Sequence, residues 1–208
     1  MYIRDPEAIE AKSMEIIGGG MKPNSFGEQE LKVIKRAIHT TGDFDYQDIV
    51  AIGPGAIEAG ISAIRAGCRI VTDTRMAFSG INKRSLEAAG CKADCYISEK
   101  EVYRLAAEKQ ITRSMAAMDF AAIEGAEIFV IGNAPTALYR IGELILEGSI
   151  APKLVVGVPV GFVGAAESKE YIRGFEIPSI TTVGTKGGSN VAAAIMNALI
   201  YMAVDRVG

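Results

Sequence analysis

Glu127-Ile128-Phe129-Val130-Ile131-Gly132-Asn133-Ala134-Pro135-Thr136 decides the fold class of this chain. Its first half is a short apolar run rich in β-branched and aromatic residues, the composition of a strand. Its second half is a turn of glycine, asparagine and proline that opens a helical pattern reaching about residue 147. Outward from this unit the same rhythm recurs. Strands are expected at residues 69–73, 94–97, 154–158 and 179–183. Helices are expected at 54–66, 86–89, 101–124, 165–172 and 190–204. The run 49–52 reads either as a strand or as the lead into the next helix. Strands alternating with helices describe an α/β fold with a mostly parallel sheet and helices on both faces.

Upstream of that region the pattern is helical. Asp5 and Pro6 form a helix start, as N-cap and first helical residue, for a helix ending at Gly18-Gly19-Gly20. Residues 18–27 read as a flexible connector. Ser25 with Glu28 then reads as a capping box opening a second helix, which Gly42 stops. The last helix, with Val191, Ala192, Ile195, Met196, Leu199 and Ile200, is apolar nearly all round and must be buried in the core or in an oligomer interface. No internal repeat, low-complexity tract or linker divides the chain, so residues 1–208 read as one domain.

Composition narrows the function. Hydrophobic residues make up 49% of the chain and mean hydropathy is +0.22, but no apolar run reaches the eighteen or so residues of a membrane span. The N-terminus is charged and lacks a signal-peptide core. Cys68, Cys91 and Cys95 are odd in number with no disulfide framework, which points to a reducing cytoplasm. One histidine and no further cysteine pair argue against a zinc site at Cys91 and Cys95. A net charge of −3 argues against nucleic acid as a partner. Cations for an anionic ligand must therefore be concentrated locally.

Ligands of open α/β sheets bind beyond the carboxyl ends of the strands. Four such ends are expected here: Thr74-Arg75, the turn from Gly132 through Asn133 to Thr136, residues 157–164, and Gly184-Thr185-Lys186-Gly187-Gly188-Ser189. Three are glycine-rich and lead into helices, whose N–H groups bind carboxylates or phosphates. The same glycines serve equally as tight turns. Arg75 and Lys186 add charge. Gly53-Pro54-Gly55 followed by Asp73 is a poor dinucleotide fingerprint, because the third glycine is missing and Pro54 lacks an N–H. No Walker A spacing and no nucleophile–base pair is present.

His39, the only histidine, falls in the last turn of the second helix, in Ile38-His39-Thr40-Thr41-Gly42-Asp43-Phe44-Asp45. The helix dipole favours an imidazolium there, which can donate a proton. The alternative reading is a histidine that only stabilises the helix end.

Several segments together resemble the precorrin-8X methylmutase family of cobalamin biosynthesis. They are Tyr2-Ile3-Arg4-Asp5-Pro6-Glu7-Ala8-Ile9, His39-Thr40-Thr41-Gly42-Asp43, Thr112-Arg113-Ser114, residues 131–138 and, longest, residues 157–169. The resemblance covers essentially the whole chain. It implies an α/β homodimer with active sites at the subunit interface, and no cofactor or resident metal. It implies migration of a methyl group from C-11 to C-12 of a corrin ring, turning precorrin-8X into hydrogenobyrinate or cobalt-precorrin-8 into cobyrinate, and it points more to the cobalt-containing substrate. The family's catalytic histidine falls on His39, and its substrate-contacting serine and arginine fall on Ser13 and Arg113. Arg75, Asn133 and Lys186 are then expected to bind the substrate's carboxylates. The alternatives are a non-catalytic tetrapyrrole carrier and, from pattern alone, an α/β enzyme acting on a nucleotide or sugar phosphate.

Overall fold

Helix α1 (Pro6–Gly20) begins as expected: the Asp5 carboxylate accepts the Ala8 N–H at 3.1 Å, with Pro6 in the first turn. The structure is a computed structural model that describes residues 2–204; residue 1 and residues 205–208 of the single-domain assignment lie outside the described residues. Gly18-Gly19-Gly20 does not stop α1. The helix runs through all three, and the Phe44 ring packs where a Gly20 side chain would be: a Cβ there would lie 2.6 Å from it. The segment after it is anchored, with the Lys22 N–H on Gln47 Oε1 at 2.9 Å and Gln47 Nε2 returning to the Lys22 carbonyl.

Helix α2 (Glu28–Thr41) starts at Gly27 and not at Ser25. The Gly27 N–H donates to Glu30 Oε2 at 2.7 Å, so the carboxylate that reaches back is that of Glu30, while Glu28 pairs with Lys32 on the surface. The helix stops where expected: Gly42 has φ +68° and its N–H closes on the Ile38 carbonyl at 2.8 Å. After the single turn of α3 (Tyr46–Ile49), the 49–52 run resolves as strand β1 (Val50–Ile52). Helix α4 (Ala56–Arg65) and strand β2 (Arg69–Thr72) follow.

Helix α5 (Arg75–Gly80) was not anticipated. Its cap is Thr74, whose Oγ1 accepts the Ala77 N–H at 3.0 Å. Helix α6 (Lys83–Ala88) leads to β3 (Lys92–Asp94), which lies earlier than the expected 94–97 because its partner β2 pairs only as far as Val71 with Asp94. The expected helix 101–124 is two helices, α7 (Lys100–Lys109) and α8 (Arg113–Ile123). Gln110 breaks it at φ +53°, and Thr112 restarts it by accepting the Met115 N–H at 3.2 Å. The rest follows the expected order: β4 (Ile128–Ile131), α9 (Pro135–Leu146), β5 (Leu154–Gly157), α10 (Ala165–Arg173), β6 (Ser179–Thr182) and α11 (Ser189–Ala203).

The sheet order is β1-β6-β5-β4-β2-β3. All pairings are parallel except β1 with β6. Alternate strand residues feed two cores. Ile70, Ile128, Val130, Leu154, Val156 and Ile180 pack under α2, α4 and α11. Val71, Phe129, Ile131 and Val155 pack under α8 and α9. Every strand residue of β4 and β5 is buried, as expected of strands covered on both faces. Helix α11 belongs to the core of the single chain: Val191, Ala192, Ile195, Met196, Leu199 and Ile200 are all fully buried.

Candidate functional site

The chain leaves β2 in two directions. It passes to β3 on one side and then returns to lay β4 on the other. The carboxyl ends of β2 and β4 therefore flank the point where strand order reverses, and a crevice forms there. Ligand pockets span about 300–1,000 Å³, and this one measures about 500 Å³. It is lined by Asp73, Thr74 and Arg75 after β2, Ile97 and Ser98 after β3, Thr112, Arg113 and Ser114 at the start of α8, and Asn133 after β4. The fold thus brings together three of the residues singled out in the sequence: Arg75, Arg113 and Asn133.

Both guanidinium groups are exposed at this cavity and lightly held. Arg113 donates to the Tyr103 hydroxyl at 2.6 Å and lies over its ring at 4.9 Å; Arg75 Nε donates to Ser98 Oγ at 3.3 Å. Neither has a carboxylate partner among the described ion pairs, so both forks remain available to carboxylates of a ligand.

The floor of the cavity is set by Asp73, which sequence reading did not single out as an organiser. Its carboxylate is 1% exposed and accepts three backbone N–H groups, from Gly132 at 2.9 Å and from Asn133 and Ala134 at 2.8 Å each. Burial pushes this carboxyl above the usual carboxylate range, while the three donors act the other way. A second brace joins the Thr112 and Thr136 hydroxyls at 3.0 Å, tying the residue that caps α8 to the first turn of α9. Since Arg113 is the first residue of α8, this contact aims it. No local signal marks either brace, because the partners lie 24 to 61 residues apart.

His39 is exposed in the last turn of α2. Its turn belongs to the same sheet edge as the cavity. Asp43 and Asp45, just beyond Gly42, hold Lys186 Nζ at 2.6 and 2.7 Å, and Lys186 lies in the loop after β6. That loop runs into α11, whose first residue, Ser189, shares a 2.8 Å hydroxyl contact with Thr74 of the cavity. The Lys186 ammonium, expected to meet a ligand alongside Arg75, is paired with two acids, Asp43 first, which hold it above the ordinary lysine range. Ser13 lies on α1, half-buried, with its hydroxyl on the Ile9 carbonyl at 2.8 Å, and it is not among the residues lining the cavity.

The remaining motifs separate. β1 is antiparallel, so Gly53-Pro54-Gly55 sits at the opposite sheet edge from Asp73, with the Gly53 N–H on the Ser179 carbonyl at the start of β6. That removes the dinucleotide reading. Cys91 neighbours Cys68 in the core, with sulfurs 3.8 Å apart, and not Cys95. Among the described residues, no group of three His, Cys, Asp or Glu side chains could hold a metal ion, and no helix is long and apolar enough to cross a membrane.

Comparison with known proteins decides among the remaining readings. The family model described as precorrin-8X methylmutase matches residues 8–202. The chain belongs to the precorrin-8X methylmutase family. Membership makes it an enzyme, an isomerase that shifts a methyl group in cobalamin biosynthesis. The chain is 50% identical to a cobalt-precorrin-8 methylmutase of Salmonella typhimurium, with 96% of this chain and 97% of that one covered. It is 46% identical to a cobalt-precorrin-8 methylmutase of Leptospira interrogans, over 95% and 94% of the two chains. Its fold is similar to the crystal structure of precorrin-8X methylmutase from Thermus thermophilus, with a TM-score of 0.88, 39% identity, and 95% and 96% of the two chains covered.

Proposed function

We propose that this methylmutase acts on cobalt-precorrin-8, moving the methyl group from C-11 to C-12 to give cobyrinate, with His39 as the proton donor. The observation that carries the substrate assignment is the run of relatives at 41 to 50% identity, all cobalt-precorrin-8 methylmutases, above the 40% of a precorrin-8X methylmutase from Pseudomonas aeruginosa.

The reaction breaks one carbon–carbon bond and forms another within the same ring, with no net gain or loss of atoms or electrons. A proton placed on, or hydrogen-bonded to, a ring nitrogen makes the receiving carbon electron-poor and returns when the methyl group has moved. His39 is the candidate donor: it is exposed, ends a helix, and belongs to the sheet edge that carries the cavity. Such a donor contributes on the order of 10²–10⁴-fold. Fixing the macrocycle in one geometry contributes the rest. Arg75, Arg113 and Asn133 bind the substrate's carboxylates, in keeping with two uncommitted guanidinium groups and an exposed amide around one crevice.

A homodimer completes the site. Phe162 and Val163, in the loop after β5, are 92% and 91% exposed, and Val183 after β6 is half exposed, so the ligand-binding edge carries unburied apolar side chains. A second copy seated on this edge would cover them and extend the site beyond the cavity of the single chain.

Incubating the protein with cobalt-precorrin-8 and, separately, with precorrin-8X tests the assignment by absorbance. Conversion of the cobalt form with the higher kcat/KM is expected. His39→Ala should abolish turnover while leaving the coloured substrate bound. Wild-type turnover in that variant would remove His39 from the mechanism, and binding of product without any conversion by the native protein would favour a carrier.

A further inference from the structure

We infer that Lys186 is a positioning residue for His39 and not a ligand of the substrate; the inference rests on the methylmutase reading with His39 as donor. Lys186 Nζ lies 2.6 Å from Asp43 Oδ2 and 2.7 Å from Asp45 Oδ2. Two of its three N–H donors are thereby committed to acids. Two carboxylates against one ammonium leave the spot net negative, which repels a carboxylate of the substrate. The same contacts make Lys186 well suited to hold the turn that ends the His39 helix. Asp43 directly follows Gly42, and its Oδ1 also accepts the Asp45 N–H at 2.9 Å, so the two acids form one rigid receptor.

The other side of the clasp is fixed from beneath. The Lys186 carbonyl accepts the Lys169 ammonium at 2.9 Å and the Thr182 hydroxyl at 2.7 Å. Lys169 is fully buried on α10 and also donates to Thr182 Oγ1 at 3.0 Å. A second tie runs from the Tyr46 hydroxyl to the Gly187 carbonyl at 3.4 Å. The backbone that carries Lys186 is therefore immobilised by a buried cation before its side chain reaches out. The loop after β6 and the turn after α2 then move as one body, and the imidazole keeps a fixed place relative to the strand-end cavity. A displacement of about 1 Å in such a donor can cost on the order of 10²-fold in rate.

The test is a kinetic cycle with cobalt-precorrin-8 on K186Q, K186R, the D43N/D45N double variant and the triple K186Q/D43N/D45N. K186Q is expected to lower kcat about ten-fold or more, leave KM within about two-fold, and move the melting temperature by no more than about 2 °C, since the pair is exposed. K186R should restore most of kcat. In the D43N/D45N background K186Q should cost nothing further, because Lys186 acts through those acids. A KM raised about ten-fold with kcat retained, or an undiminished loss in the D43N/D45N background, would overturn the inference and make Lys186 a substrate ligand.

A readout without turnover separates this from failure of the methylmutase reading. His39 supplies the only imidazole signals of the chain in an NMR spectrum. These should move or broaden in K186Q and in D43N/D45N, and match the native protein in K186R. Native-like signals in K186Q would overturn the clasp whatever the substrate proves to be.

Discussion

Asp73 Oδ2 lies 2.8 Å from the backbone nitrogen of Asn133 and so joins the end of β2 to the end of β4 across the point where strand order reverses. One buried carboxylate thereby sets the shape of the loop that presents Asn133 to the cavity. Replacing it tests both roles. Asp73→Asn keeps the volume but turns an amide N–H₂ toward backbone donors, and it should destabilise the fold by about 2–4 kcal/mol in urea unfolding. It should also raise KM, since Asn133 is displaced. A loss of stability under about 1 kcal/mol would mean that the carboxylate does not organise the loop.

The two arginines predict an affinity effect and not a loss of chemistry. Arg75→Ala and Arg113→Ala should each raise KM by about ten-fold or more with kcat less affected, the size of a charge-assisted hydrogen bond. Lysine at position 113 should not restore affinity, because it lacks the planar fork and the stacking on Tyr103. The native KM should rise with ionic strength. Steady-state kinetics at two salt concentrations check all three statements.

Gly42 ends the His39 helix at φ +68°, with open space where a side chain would sit. The cost of Gly42→Ala is therefore conformational alone, about 1–2 kcal/mol. Thermal unfolding should show it, accompanied by a fall in turnover as the turn between His39 and Asp43 readjusts. Stability equal to the native protein would contradict the left-handed cap.

Lys169 predicts a dependence of stability on pH. Burial, assisted by neighbouring Arg173, pushes its ammonium down to about 8. Between that value and the ordinary lysine range the unfolded chain binds more protons than the folded one, so unfolding free energy rises with pH across this window. Lys169→Met should remove that dependence on pH. Denaturant midpoints from pH 7 to 10, compared between the two proteins, decide it; parallel curves would contradict the assignment.

Much of this protein is legible along the chain. Asp5, Pro6 and Gly42 mark helix ends through contacts within four residues, and the apolar runs of β4 and β5 declare strands buried on both faces. Elsewhere the chain departs from the expected bounds: the triple glycine stays helical with the Phe44 ring packed over Gly20, and Gln110 takes φ +53° before Thr112 restarts the helix by accepting the Met115 N–H.

The sequence by itself determined the α/β class, the helix whose last turn carries His39, and a resemblance strong enough to name the family, because these rest on spacing and residue type alone. Only the tertiary structure decided that β1 runs antiparallel, that Arg75, Arg113 and Asn133 share one crevice while Ser13 does not line it, and that Lys186 pairs with Asp43. Those pairings span up to 143 residues of chain, and strand order, not local propensity, brings such partners within hydrogen-bond reach.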